Sequence, residues 1–170
     1  MSIGKKIINP TTITELKKGF DEEFKLIKHF FIIRKLKFEI PYQFNNKTRK
    51  NEIKVIEATE FDSNLSLKEE QLALPGVYVF GYKDEKPREI LRIGRNLDNS
   101  LKRAKEVFLG FYFIMNDNKG KMQEWYEDDN SMLYFFQLKE EYRKNKLHWV
   151  KALECYLIYK YNSTVPSGRA

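Results

Sequence analysis

A chain of 170 residues is long enough for one domain of ordinary size with a substantial buried core. Its 42% apolar and 15% aromatic residues exclude a disordered chain, and its single cysteine excludes an intramolecular disulfide or a multi-cysteine zinc site. The net charge of +7, from 31 Lys and Arg against 24 Asp and Glu, favours partners that carry phosphate.

The amino-terminal sequence carries no membrane or export signal. Its longest apolar run, residues 30–33, is far below the ~18 residues needed to span a bilayer. No stretch combines an apolar segment with a small-residue cleavage site, as a signal peptide does. We therefore expect a cytoplasmic protein without membrane contact, and the lone Cys155 suits a reducing compartment.

The first predicted element is a helix over residues 12–36. Thr12 and Glu15 match a capping box at its start, and Pro41 blocks its continuation. Apolar residues at steps of three and four predict one buried face: Ile13, Leu16, Phe20, Phe24, Ile27 and Phe31.

Two short strands are predicted after this helix, over residues 36–44 and 52–58, and they could form a hairpin. The polar segment between them, residues 45–51, is typical of an exposed turn. Its three cations are candidate DNA contacts: Lys47, Arg49 and Lys50.

A second antiparallel hairpin is predicted from residues 77–82, which are rich in β-branched and aromatic residues, and residues 90–94, where Leu91 and Ile93 alternate with Arg92. A helix follows through residue 109, with Asp98 as its N-cap. Four apolar residues predict the buried stripe of this helix: Leu97, Leu101, Ala104 and Phe108.

The last two predicted elements are a buried strand over residues 132–138 and a helix over residues 145–161. Glu154 in this helix has apolar neighbours one turn away on both sides, Val150 and Ile158. A carboxylate in such surroundings is either paired or part of a site. The simpler interpretation is that it reaches water or pairs with Lys151.

The charge excess is concentrated between Arg92 and Lys105, where five cations accompany one anion. Tyr78 on the preceding strand could be a packing residue, but Arg92 and Arg103 could meet it together with Glu154 at one end of the sheet. This set suits phosphodiester hydrolysis. A cation favours the phenolate of a tyrosine, a guanidinium holds phosphate, and a glutamate can anchor one divalent ion.

The order of these residues resembles that of the GIY-YIG nuclease family. The matching motifs are Gly76-Val77-Tyr78, Arg92-Ile93-Gly94, Arg103, and Glu154 within residues 153–162. The resemblance covers residues 74–162. It implies an α+β fold with a small three-stranded antiparallel sheet flanked by helices, in the order β, β, α, β, α that periodicity also predicts. Residues 74–170 would be the nuclease core, and residues 1–73 a helical and hairpin extension that contacts DNA or covers the core.

The resemblance implies a role for each matching residue. Tyr78 would act as general base on the attacking water or align it, and Arg103 would bind the scissile phosphate. Glu154 would be the single ligand of a divalent ion, Mg²⁺ or Mn²⁺. Gly94 would let the backbone and DNA approach closely. Arg92 replaces the second motif tyrosine of the family, where some restriction enzymes have a lysine.

Four further positions complete the expected site. Arg95 and Lys102 would add phosphate contacts or remain solvated surface charges. Many family members have a histidine or tyrosine where this chain has Val107, so Tyr112 is a candidate replacement. Asn162 resembles a late asparagine of the family, although it comes early in the spacing.

These expectations describe a metal-dependent endonuclease that cleaves double-stranded DNA. The compact chain resembles the free-standing type II restriction enzymes of the family, which would act as a homodimer on a short symmetric site. The alternatives are a repair or mobile-element nuclease of the same family and a catalytically silent nucleic-acid-binding module on the same fold. An interaction protein whose motif matches arise by chance is a further alternative, and RNA is an alternative substrate.

Overall fold

A computed structural model describes residues 21–39, 53–60, 63, 65–83, 90–113 and 119–160 of the chain. These residues form an α+β fold in which an antiparallel sheet is flanked by helices, as the sequence predicts. Four candidate residues lie outside the described residues: Lys47, Arg49, Lys50 and Asn162. Among the helices of the described part, none is long and apolar enough to cross a membrane.

Within the described residues the sheet has five strands in the order β2-β1-β5-β3-β4, and every neighbouring pair is antiparallel. The strands are β1 (Phe31–Glu39), β2 (Lys54–Glu60), β3 (Gly76–Tyr82), β4 (Arg92–Asn96) and β5 (Ser131–Leu138). The helices are α1 (Asp21–Phe30), α2 (Ser100–Phe113), α3 (Lys119–Glu127) and α4 (His148–Lys160). Short 3₁₀ turns span Glu69–Leu72 and Glu140–Tyr142.

The predicted helix over residues 12–36 is wrong at its carboxyl end, and residues 12–20 lie outside the described part. The helix α1 ends at Phe30, and the chain continues directly into β1. Strand β1 buries side chains on both faces of the sheet, Phe31 and Ile33 on one and Leu36 on the other. Its apolar residues are separated by Arg34, Lys35 and Lys37, and Phe31 follows Ile27 at a helical step of four, so a helical period also fits the start of this strand.

The two predicted antiparallel strand pairs are confirmed, with shifted boundaries, whereas residues 40–44 and 52 of the first pair and its predicted turn over residues 45–51 lie outside the described residues. Strand β1 pairs with β2, where Leu36 faces Ala58, and β3 pairs with β4, where Tyr78 faces Gly94. The prediction of a three-stranded sheet is incomplete, because β5 pairs with β1 as well as with β3. All eight residues of β5 are buried, as expected for a strand with partners on both edges.

The start of α2 differs from the prediction in two details. Asn99 rather than Asp98 caps the helix, since its Oδ1 accepts a hydrogen bond of 2.9 Å from the backbone N–H of Lys102. Leu97 precedes the helix and is exposed instead of buried. Leu101, Ala104 and Phe108 form the buried stripe as predicted. The helix α4 begins at His148, three residues after its predicted start at residue 145.

The sheet has an apolar layer on each face. We call the side that packs against α1 and α4 the α4 face, and the side that packs against α2 and α3 the α2 face. Alternation along β3 sends Val77 and Val79 to the α4 face, and Tyr78 and Phe80 to the α2 face. Strand β4 alternates in the same way at the edge of the described sheet.

Candidate active site at the edge strand

Strand β4 carries three of the predicted site residues, Arg92, Gly94 and Arg95. Arg92 and Gly94 occupy its α2 face, where Gly94 lies opposite Tyr78 of the neighbouring strand. Ile93 and Arg95 occupy its α4 face, since Ile93 belongs to the apolar layer beneath α4. Two sets of side chains therefore meet the same five-residue strand from opposite sides.

Tyr78 lies on the α2 face with only 1% of its surface exposed. Its ring packs edge-to-face against Phe80, with 5.9 Å between ring centroids. A Cβ atom added to Gly94 would overlap the phenol, including Cε1 at 2.7 Å. The tyrosine ring therefore extends across Gly94, and its hydroxyl lies over the edge strand.

This contact gives Gly94 a local reason to be glycine. The space that any other side chain would occupy is filled by the Tyr78 ring. The sequence-based interpretation, in which the glycine permits close approach of DNA, is not needed to account for the residue.

Arg92 is also buried, with 4% of its surface exposed. Its guanidinium carbon lies 5.2 Å from the ring centroid of Phe111 on α2, within the range of a cation–π interaction. Because Tyr78 faces Gly94 and Phe80 faces Arg92, Tyr78 and Arg92 are diagonal neighbours on the same face. The register of β3 and β4 therefore places Arg92 near Tyr78.

Glu154 reaches the site from the other side of the sheet. It lies on α4 with only 2% of its side chain exposed, and its Oε1 accepts a hydrogen bond from Nη1 of Arg95. The ion pair joins α4 to β4, whereas Lys151, the predicted surface partner, is exposed. Oε2 of Glu154 is buried and accepts no hydrogen bond from the described residues.

Arg103 and Lys102 lie in the first two turns of α2 and are far more accessible. The side chain of Arg103 is 40% exposed and contacts Glu106 at 3.4 Å, a surface ion pair that contributes little to stability. Lys102 is exposed. Either cation can turn toward a phosphate without breaking a buried contact.

Tyr112 packs against other aromatic side chains. Its ring lies 5.4 Å from that of Phe108 and 5.7 Å from that of Tyr126, between α2 and α3. Burial, and then the negative charge of Glu127, raise the pKa of Tyr112. A raised pKa keeps more of this phenol protonated, which leaves less phenolate to act as a general base. The catalytic help of Tyr112 stays a prediction.

The structure thus divides the predicted constellation instead of gathering it on one face. Tyr78, Gly94 and Arg92 lie on the α2 face of the edge, and Arg95 and Glu154 lie on the α4 face. The sequence analysis predicts either a phosphate contact or a solvated surface charge for Arg95. Strand alternation could have assigned it to the α4 face, because Arg95 lies two residues after the buried Ile93.

The described residues offer one candidate ligand for a cation, the carboxylate of Glu154. Within the described ranges, no three His, Cys, Asp or Glu residues cluster as a metal site would require. Oε2 of Glu154 is the one buried side-chain oxygen there that has no hydrogen-bond partner. A single-carboxylate site on Glu154 fits that atom, since divalent cations of the Mg²⁺ type prefer oxygen ligands.

Comparisons of the chain with protein-family models, with curated proteins and with solved structures gave no match.

Proposed function

We propose that this protein is a metal-dependent endonuclease of the GIY-YIG type that cleaves double-stranded DNA, in the manner of a type II restriction enzyme. The observation that carries the proposal is Glu154, a carboxylate buried in α4 and oriented by Arg95 on the edge strand. Burying a charge is costly, and a helix of this kind could pack with an apolar residue at that position. Tyr78 and Arg92 lie on the other side of the same strand.

Part of the fold supports this proposal. Strands β3, β4 and β5 with helices α2 and α4 reproduce the order β, β, α, β, α of that family, and α3 is an additional helix before β5. Strands β1 and β2 would then be an extension that widens the core sheet beyond β5. The net charge of +7 suits a phosphate backbone as partner, and a symmetric site would require a homodimer.

The proposed chemistry assigns one task to each side chain. The Tyr78 hydroxyl, over the edge strand, takes a proton from the attacking water or orients it, and Arg92 lies diagonally from Tyr78 on the same face. Arg103 turns from Glu106 to hold the scissile phosphate. Glu154 would hold a Mg²⁺ or Mn²⁺ ion through Oε2. When bound, the ion adds positive charge that stabilises the phosphate and the leaving oxygen.

Cleavage of supercoiled plasmid with and without Mg²⁺ tests the proposal. We expect discrete linear fragments that require the ion, and a loss of rate of about 100-fold or more in Tyr78→Phe, Arg103→Ala and Glu154→Gln, since one lost electrostatic contact commonly costs this much. The controls alter an exposed tyrosine, an exposed cation and an exposed glutamate, and they should cleave at the wild-type rate: Tyr159→Phe, Lys144→Ala and Glu141→Gln. Wild-type rates in all three site variants would contradict the proposal.

A silent nucleic-acid-binding module is the second candidate, and burial of the site favours it. Tyr78 is 1% exposed, and Glu154 is already neutralised by Arg95. Such a module would bind duplex DNA with an affinity that falls steeply with salt, and it would leave every plasmid intact with Mg²⁺ or Mn²⁺. Ion-dependent cleavage excludes it.

A further inference from the structure

We propose that Arg95 and a divalent cation compete for Glu154, and that a bound phosphate releases the glutamate by taking the guanidinium. The inference rests on the proposed function and names the residue that controls access to its cation site. It makes Arg95 a positioning residue, where the sequence predicted a phosphate contact or a solvated surface charge.

The competition follows from the two oxygens of one carboxylate. Arg95 occupies Oε1, and Oε2 is buried without a hydrogen-bond partner among the described residues. A divalent ion on Oε2 would lie beside the guanidinium, so the two positive charges would repel each other in a poorly solvated place. A Mg²⁺-type ion also needs room for several water ligands, which a side chain with 2% exposure does not offer.

Arg95 is the partner that can move. Glu154 is held within α4, one turn from the buried Val150. Arg95 lies on the edge strand, and 17% of its side chain is already exposed. Rotation of this long side chain outward would leave the space of the guanidinium to the ion and its water ligands.

Phosphate is the group that would draw Arg95 away. A guanidinium binds a phosphate as it binds a carboxylate, through two parallel hydrogen bonds. Arg95 would then exchange Glu154 for the DNA backbone, and the freed carboxylate would accept the cation. Binding of DNA and of the ion would strengthen each other by the same factor, as linkage requires.

The first test measures Mn²⁺ binding to the full chain without DNA, from the electron paramagnetic resonance signal of the free ion. We expect Arg95→Met to bind Mn²⁺ at least tenfold more tightly than the wild type, because the competing charge is gone. Arg95→Lys keeps that charge and should bind as weakly as the wild type. The double variant Arg95→Met with Glu154→Gln should lose the site. Equal Mn²⁺ affinity in the wild type and Arg95→Met would overturn the inference.

The second test keeps Arg95 in place, in case Arg95→Met fails to fold. In the Tyr78→Phe protein, where the proposed chemistry is blocked, a short DNA duplex should raise Mn²⁺ affinity at least tenfold. The same duplex with a Tyr78→Phe and Glu154→Gln protein measures the Mn²⁺ that DNA holds by itself. An affinity unchanged by the duplex would overturn the inference. Neither test measures cleavage, so the two proposals can fail separately. If Arg95 and Mn²⁺ compete but DNA is not cleaved, only the nuclease proposal is rejected. If DNA is cleaved but Arg95 and Mn²⁺ do not compete, only the role of Arg95 is rejected.

Discussion

Gly94 and Tyr78 pack closely against each other at the candidate site. The tyrosine ring fills the place of a Cβ atom at position 94, and the ring is buried with little freedom to move aside. A glycine in a strand weakens the strand unless something requires the space. Here the Tyr78 ring on β3 needs that space, so packing within the sheet requires the glycine.

Replacing this glycine tests the relation at the residue scale. Gly94→Ala should lower the free energy of unfolding by about 1 to 3 kcal/mol, because overpacking displaces a buried ring. The loss should largely disappear when Tyr78→Ala is already present, which a double-mutant cycle with urea denaturation measures. Gly120→Ala on α3, where no atom lies within 4 Å of the added Cβ, is the control and should not destabilise the protein.

The cycle also separates two explanations of the glycine. If Gly94 serves only the close approach of DNA, Gly94→Ala will keep full stability and lose DNA affinity. A stability loss that depends on Tyr78 instead assigns the glycine to packing, and any loss of activity would follow from the displaced phenol.

The sequence indicates a site residue either by its local surroundings or by its companions in a motif. Glu154 is indicated by its apolar neighbours one turn away, and Tyr78 by Arg92 and Arg103, which could meet it at one end of the sheet. The partner of Glu154 was not identified, since the pairing with Arg95 depends on how α4 packs across the edge strand. Long-range packing of this kind leaves no periodic trace in one sequence.

At the scale of elements, β1 shows why periodicity misled. Its apolar residues serve two faces of the sheet, Phe31 and Ile33 on one and Leu36 and Phe38 on the other. Phe31 therefore continues the helical spacing of α1 by coincidence. The adjacent β-branched residues Ile32 and Ile33 favour a strand, and tertiary pairing with β2 and β5 decides the outcome.

A buried polar network connects β1 to the predicted core. Arg34 is buried, and its Nη1 donates to Oε1 of Gln137 on β5 at 2.6 Å and to the backbone oxygen of Gln71 at 2.7 Å. Gln137 in turn donates to the backbone oxygen of Leu72 at 2.6 Å. Burial lowers the pKa of Arg34, and the charge of Glu60 opposes that shift. The network fixes the segment before β3 against the sheet.

Removing the guanidinium should therefore destabilise more than one element. Arg34→Met should lower the free energy of unfolding by about 3 kcal/mol, because it leaves the amide of Gln137 and a backbone oxygen without their donor. Thermal or urea unfolding measures the change. Lys35→Met on the opposite face of the same strand is the matched control, with an expected effect below about 1 kcal/mol. Equal effects of the two variants would contradict a structural role of the network.

At the scale of the whole molecule, one sheet combines strands from both predicted regions: β1 and β2 belong to residues 1–73, and β3, β4 and β5 to residues 74–170. Strand β1 pairs with β5 over six residue positions, from Phe31 opposite Leu138 to Leu36 opposite Leu133. The apolar layer on each face also receives residues from β1. Strands β1 and β2 therefore share one core with the proposed nuclease elements.

A fragment of residues 74–170 should consequently fail to fold by itself. Without β1, the strand β5 exposes a row of unpaired backbone N–H and C=O groups beside residues that are otherwise buried, which favours aggregation over a stable edge. We expect no cooperative transition in urea, measured by circular dichroism, and restored folding when residues 1–73 are co-expressed as a separate chain. A cooperative transition in the isolated fragment would show that the nuclease elements form an independent core, with β1 and β2 only attached to its edge.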